Sequence, residues 1–322
     1  MKQEAGANEA PDTRKTSAYY KHQNPAEGRL MGRERGRGDR LSVLMKAALK
    51  GSIVLAGMAV ATNAHAECKR ETLQKLADTY VKAQTDGKAT LLPLAKGASY
   101  AENDRAMDIG KGVLAGALKV DFTRSFHDTT QCATFTELVA ATNPHPYVIH
   151  TRIEATKDGK VSKMESVVTD AGDWMFGAAE HLAVTRSQDW GEIPEDKRDT
   201  RAVLKAAADA YLDNWGDPAL PVPHGTPCAR LEGRINTGSR NPQGNTCDMG
   251  AFPQKLKVGH RRYVIDETIG AVSIFHDFPW LDAGLPPDQG TPASQMFRVE
   301  SGKNRYIHEV TVCTTPRCGR GT

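Results

Sequence analysis

Two stretches of the chain have the composition of β-strands and contain carboxylates. Residues 262–275 are dominated by β-branched and aromatic side chains without proline, and two adjacent acidic residues lie in the middle. Residues 124–135 have the same pattern, and an offset of 138 positions places Asp128 over Asp266. The repeat predicts one module that is used twice.

An amphipathic helix is predicted at the start of each module. Residues 70–85 place leucine, alanine and tyrosine on one face. Residues 201–215 repeat the pattern after a capping threonine, Thr200. An offset of 131 positions aligns Arg70 with Arg201. Each helix is followed by several predicted strands and a glycine-containing hairpin turn.

This order of elements predicts an α+β fold of two cone-shaped modules, in each of which a curved antiparallel sheet wraps its helices. Alternate side chains of a strand face the same side, and Asp266 is predicted to face the cavity because its counterpart Asp128 is also acidic. The predicted segments are an extension (1–44), a signal peptide (45–66), module one (67–190), a linker (191–198), module two (199–313) and a tail (314–322).

The N-terminal region predicts export. A basic start at 45–50 precedes an apolar run at 51–62 that is too short to span a membrane, and Ala64-His65-Ala66 suits signal peptidase. Cleavage after Ala66 gives a periplasmic or secreted protein with no remaining membrane span. Residues 1–44 are either a disordered extension or an artefact of an upstream start codon.

Charge and motifs exclude several classes of protein. The net charge of +3 comes from the N-terminal residues, so the exported part is near neutral and has no basic stripe for nucleic acid. No phosphate loop, dinucleotide fingerprint or nucleophile signature is present. The sequence therefore predicts no nucleic-acid partner and no cofactor.

All six cysteines follow the predicted signal peptide, which indicates disulfides in an oxidising compartment. Cys228 and Cys247 flank a polar loop and are predicted to form a bridge. The other four cysteines allow three pairings, which the sequence does not separate. Because no C-x2-C pair occurs and the histidines are scattered, no metal site is predicted.

Two Asp–Arg pairs are the predicted acid–base groups. Asp266 beside Arg262 in module two, and Asp128 beside Arg124 in module one, combine a carboxylate with a cation that would tune its pKa. The alternative is a structural ion pair in each module.

Two further side chains are predicted to assist the proton transfer. His308 in the last strand could shuttle a proton near neutral pH, and Tyr263 could support a developing oxygen. The alternative role for His308 is a hydrogen bond in the core.

Six motifs resemble a secreted two-module family of the SnoaL-like (nuclear transport factor two-like) superfamily. They are Gln131-Cys-Ala-Thr-Phe-Thr-Glu137, His145-Pro-Tyr147, residues 189–201 (DWGEIPEDKRDTR), residues 225–233 (GTPCARLEG), residues 262–268 (RYVIDET) and Phe297-Arg-Val-Glu300. The resemblance covers residues 67–313. It implies cone-shaped α+β modules that often dimerise across the sheet, so a homodimer is an option.

The resemblance also implies a function class. Superfamily members include cofactor-independent lyases and isomerases that use acid–base side chains, and some relatives release formaldehyde from lignin-derived dimers. Positions that line such pockets correspond here to Tyr100, Asn103, Arg230, Glu232 and Tyr306; for the first four the alternative is tethering of loops. The expected function is an acid–base lyase or isomerase on a small aromatic or polycyclic molecule. A non-catalytic ligand-binding protein and a structural envelope protein are the alternatives.

Overall fold

A computed structural model describes residues 68–250, 252, 255–279, 281, 290–315 and 318. In these residues the chain forms an α+β fold with three α-helices and two six-stranded sheets. The predicted extension and signal peptide lie outside the described residues. No helix in the described part of the chain is long and apolar enough to cross a membrane.

The helices are α1 (Arg70–Asp86), α2 (Ala178–Ser187) and α3 (Arg201–Asn214). Both predicted helices are confirmed, because α1 and α3 differ from the prediction by one residue at their C-terminal ends. The Thr200 hydroxyl accepts a hydrogen bond from the Val203 amide, as expected of an N-cap. Gly87 ends α1 with a φ of 64°, a conformation that favours glycine.

The first sheet consists of β1 (Leu94–Glu102), β2 (Arg105–Met107), β3 (Phe122–Asp128), β4 (Ala133–Ala140), β5 (Tyr147–Ala155) and β6 (Val161–Thr169). The second consists of β7 (His224–Glu232), β8 (Ile235–Asn236), β9 (Gly259–Asp266), β10 (Ala271–Phe278), β11 (Thr291–Glu300) and β12 (Lys303–Thr311). The strand orders β2-β1-β6-β5-β4-β3 and β8-β7-β12-β11-β10-β9 repeat each other.

The prediction of antiparallel sheets is wrong, because both sheets are mixed. In each, the first long strand pairs in parallel with the last, β1 with β6 and β7 with β12, and the other pairs are antiparallel. Two parallel neighbours need a long connection between them. Several elements lie along the chain between β1 and β6 and between β7 and β12, which provides that connection.

The two carboxylate-bearing stretches are hairpins rather than single strands. Residues 262–275 comprise the end of β9, a turn and the start of β10, and residues 124–135 are the corresponding hairpin of β3 and β4. Positive φ angles at Gly270 and Cys132 reverse the chain. Asp266 and Asp128 are therefore the last residues of their strands, beside the turn.

The two sheets pack against each other through one face each. Phe126 and Phe135 of the first sheet and Phe275, Met296 and Val310 of the second belong to one buried apolar cluster. Helices α1 and α3 pack on the other face of their respective sheets. Each of these helix-covered faces, called the interior of its sheet below, is filled by buried side chains.

Three disulfides join Cys68 to Cys132, Cys228 to Cys247 and Cys313 to Cys318. The predicted Cys228–Cys247 bridge is confirmed. Disulfides of this number fit a secreted protein.

Candidate functional site

The two repeated aspartates form crossed ion pairs with the helix of the opposite module. Both oxygens of Asp128 accept hydrogen bonds from the guanidinium of Arg201 at 2.7 Å, at the start of α3. Asp266 accepts from Arg70 at 2.7 Å, at the start of α1. Both carboxylates are buried. The residues that the sequence aligned as equivalents thus hold the two modules together.

Backbone amides of the opposite module complete each pair. The Ile265 amide donates to Asp128 at 2.9 Å, and the His127 amide donates to Asp266 at 2.8 Å. We call this arrangement the crossed Asp–Arg pairs. Asp266 lies between the sheets and not in an interior, so the predicted orientation toward a cavity is wrong.

The predicted partners of the aspartates are also wrong. Arg262 instead donates to Asp104 at 2.9 Å, and Tyr263 donates to Asp209 at 2.8 Å. The turn directs each aspartate toward the opposite module, where an arginine of the facing helix reaches it. Arginine residues on the aspartate's own strand point elsewhere.

Arg124 and His308 meet at a third carboxylate, Glu137, which lies fully buried between the sheets. Arg124 donates to Glu137 at 2.9 Å, and His308 Nδ1 lies 3.6 Å from it. Burial alone would raise the pKa of Glu137, but the positive charge of Arg124 holds it well below its usual range. Burial lowers the pKa of His308 to about 4, so this ring is neutral at neutral pH.

Three other predicted residues have structural contacts. The Tyr100 hydroxyl donates to Glu102 at 2.6 Å. Asn103 exchanges hydrogen bonds with the backbone of Val168, which ties the β1–β2 turn to β6. Tyr306 packs 5.8 Å from the ring of Trp190.

Arg230 and Glu232 lie together in the interior of the second sheet. Arg230 Nη1 is 3.4 Å from Glu232 and 3.5 Å from the hydroxyl of Tyr211 on α3. Strand register places Glu309 of β12 directly beside Glu232 of β7. An arginine, a tyrosine and two carboxyl groups thus converge behind α3.

Glu309 is the most chemically unusual group of this interior. It accepts from Gln295 Nε2 at 2.6 Å and from the Thr311 hydroxyl at 2.8 Å. Burial, and next the charge of Glu232, raise the pKa of Glu309 to about 8, against the effect of those hydrogen bonds and of Arg230. Glu309 is therefore protonated at neutral pH.

Aromatic rings and a surface groove adjoin these polar groups. The ring of Tyr211 lies 5.6 Å from Phe297 and 6.3 Å from His224. His224 also lines a groove of about 330 Å³, together with Asn214, Pro218, Leu220, Val222, Asp248 and Gly250. His224 is therefore shared between the groove and the aromatic contacts of Tyr211.

The interior of the first sheet carries hydroxyl groups at the corresponding positions. Ser166 is beside Glu102 in register, as Glu309 is beside Glu232. Tyr80, Thr151 and Ser166 form a hydrogen-bonded chain with distances of 2.7 and 2.9 Å. The adjacent pair of carboxyl groups therefore occurs in the second sheet, whereas the first has Glu102 beside a serine.

The sequence analysis missed Glu309, although it singled out His308 next to it. Strand alternation places the two side chains on opposite faces. His308 therefore faces the first sheet, and Glu309 shares its face with the buried Ile307 and Thr311. The alternation of β12 was the signal that could have identified Glu309 as an interior carboxyl group.

Glu309 should make the stability of the protein depend on pH. The folded state keeps a proton that the unfolded chain releases near pH 4.5, so its contribution is complete below that pH and is lost as pH rises toward 8. We expect the free energy of unfolding to fall by roughly 5 kcal/mol across this window. Urea unfolding at several pH values should show that Glu309→Gln removes most of this slope. Identical slopes in both proteins would contradict the assignment.

Comparison with known proteins finds a family match for part of the chain but indicates no activity. Residues 197–311 match a family described as a domain of unknown function (DUF8021). The match begins just before α3 and ends with β12, so it covers the second sheet and its helix. A search among curated proteins found no match.

Proposed function

We propose that the protein is a cofactor-independent lyase or isomerase built from two SnoaL-like modules, with its acid–base site in the interior of the second sheet. The observation that carries the proposal is the adjacent pair of carboxyl groups, the buried Glu309 and the partly buried Glu232. An acid–base enzyme needs one group that holds a proton and one that accepts it, and two neighbouring carboxyl groups can divide these roles.

The contacts favour distinct roles for the two carboxyl groups. Glu232 accepts a hydrogen bond from the Trp174 indole N–H at 2.7 Å and lies 3.4 Å from Arg230 Nη1. We assign it as the base. Glu309, protonated at neutral pH, is the acid, and Arg230 and Tyr211 lie where they could stabilise a developing oxyanion.

The surroundings indicate an aromatic substrate. The rings of His224 and Phe297 lie beside that of Tyr211, whose hydroxyl is 3.5 Å from Arg230, and His224 also lines the surface groove. The side-chain oxygen Oε1 of Gln295 is buried beside Glu309 and has no hydrogen-bond partner among the described residues. A hydroxyl group of a substrate would satisfy it.

One reaction that fits these roles is the release of formaldehyde from an aromatic compound with a hydroxymethyl group beside an activated carbon. Glu232 takes the hydroxyl proton, the carbon–carbon bond breaks as the carbonyl of formaldehyde forms, and the electron pair remains on the substrate carbon. Glu309 then protonates that carbon. Atoms and charge balance without an oxidant or a cofactor.

The test compares Glu309→Gln with Glu102→Gln, the equivalent of Glu232 in the first module. Purified exported protein is incubated with lignin-type dimers that carry hydroxymethyl groups, and the products and formaldehyde are quantified by mass spectrometry. Because Gln keeps the size of the side chain but cannot give up a proton, we expect roughly 10²–10⁴-fold lower turnover in Glu309→Gln and little change in Glu102→Gln. Wild-type turnover in a folded Glu309→Gln protein would remove the site from the mechanism.

The competing proposal is a small-molecule-binding protein without catalysis. The observation in its favour is that the sulfur of Met249 contacts the Tyr211 hydroxyl, which places a side chain between the groove and Glu309. Saturable binding of aromatic compounds, weakened by His224→Ala but without any product, would support this alternative.

A further inference from the structure

A carboxylate and two histidines converge between the sheets, away from the proposed acid–base site. Glu137 of β4 and His150 of β5 are directly opposite each other in register, and His181 comes from α2. All three side chains are fully buried. One potential ligand atom of each lies within 4.8 Å of those of the other two.

Each histidine is anchored through its outer ring nitrogen. His181 Nδ1 is 2.9 Å from the carbonyl oxygen of Gly233, and His150 Nδ1 is 3.0 Å from the hydroxyl of Ser294. Metal-binding histidines typically use the second nitrogen in this way, which fixes the ring and turns the other nitrogen toward the metal.

The hydrogen bond to Gly233 determines the proton position of a neutral His181. A carbonyl only accepts, so Nδ1 carries the proton and Nε2 presents a lone pair. That lone pair lies 2.9 Å from Glu137 Oε1, which is also an acceptor. The contact is repulsive unless a cation, either a metal ion or a second proton, lies between the two atoms.

His308 presents a second lone pair to the same oxygen, Glu137 Oε1. Its Nε2 is 2.6 Å from Gln188 Oε1, which also accepts from the Trp190 indole N–H at 3.2 Å and is thereby identified as the amide oxygen. His308 Nδ1 therefore presents a lone pair to Glu137 Oε1 at 3.6 Å. His150 Nε2 is buried and has no hydrogen-bond partner among the described residues.

We infer that Glu137, His150 and His181 bind a zinc ion between the two sheets. Two imidazole nitrogens and one carboxylate oxygen are a common donor set for zinc. Arg124 and the Thr185 hydroxyl occupy the other oxygen of Glu137, which leaves Oε1 for the metal.

The position gives the metal a structural role. Glu137 and His150 belong to the first sheet and His181 to α2, while the anchoring Ser294 belongs to the second sheet. A bound zinc ion would therefore tie α2 to the first sheet where the second sheet packs on it. The sequence shows no short metal motif because the ligands come from three different elements, β4, β5 and α2.

Metal analysis of the purified exported protein, prepared without chelators, tests the inference. We expect about one zinc ion per chain, and at least about tenfold less in His150→Ala. The matched control is His276→Ala, since His276 is equally buried but belongs to the interior of the second sheet. The His276→Ala protein should keep its zinc.

A second measurement remains decisive if His150→Ala does not fold. The melting temperature of the wild-type protein should fall when zinc is removed with a chelator and recover when zinc chloride is added. A metal-free wild-type protein whose melting temperature does not respond to zinc would overturn the inference and leave a protonated His181 as the explanation. Stoichiometric iron would overturn the assignment of zinc.

Discussion

Replacing Arg201 with alanine should lower the free energy of unfolding by about 3 kcal/mol. Asp128 is fully buried and would lose the bidentate partner of its carboxylate. The loss lies at the lower end of the range for broken buried pairs because 25% of the Arg201 side chain is exposed. Arg70→Ala should cause a smaller loss, since Arg70 donates a single hydrogen bond to Asp266 and 31% of its side chain is exposed.

Urea unfolding measures this effect, with Lys82→Ala as the matched control. Lys82 pairs with Asp86 on the surface of α1, and such pairs contribute only about 0.3–0.5 kcal/mol. Adding Asp128→Asn to Arg201→Ala should restore part of the lost stability, because the uncompensated charge is removed. A loss below about 1 kcal/mol in Arg201→Ala would show that the crossed Asp–Arg pairs do not hold the modules together.

The second large effect is expected at the Cys68–Cys132 disulfide. It joins residues 64 positions apart, and a loop of that size predicts a loss of about 4 kcal/mol when both cysteines become serine. The Cys228–Cys247 bridge spans 19 positions and should cost about 3 kcal/mol. Unfolding midpoints of the two double variants provide the comparison.

The stabilisation that the Cys68–Cys132 disulfide provides should be coupled to the crossed Asp–Arg pairs. Cys68 precedes Arg70 by two residues, and Cys132 lies in the turn that follows Asp128. Both ends of the bridge therefore order residues of the crossed Asp–Arg pairs. We expect Arg70→Ala to cost less in the protein without this bridge than in the wild type, because the pair is already weakened. Strict additivity would mean that bridge and ion pair act independently.

Local patterns in the sequence predicted the local structure well. The periodic apolar faces of α1 and α3 are those that pack in the structure, and a polar loop between Cys228 and Cys247 correctly indicated their bridge. The offset of 138 positions correctly identified Asp128 and Asp266 as equivalents, since both occupy the same place in their hairpins.

Contacts between modules could not be predicted in the same way. Equivalence within a repeat says which residues correspond, but not that the aspartate of one module meets the arginine of the other. The composition of residues 262–275 indicated strand but concealed the turn, because Thr268-Ile269-Gly270 continues the apolar pattern through it. The sequence did not identify Glu309 as a site residue either, because its position beside Glu232 follows from the pairing of β7 with β12.

Joining the two modules in one chain allows each copy to change separately. In a dimer of identical modules every substitution would appear twice, at both related positions. Here both halves contribute an aspartate and an arginine to the crossed Asp–Arg pairs. In contrast, the position that Glu309 occupies in the second sheet is occupied by Ser166 in the first. A ligand that requires the carboxyl pair should therefore bind once per chain, although the architecture is repeated.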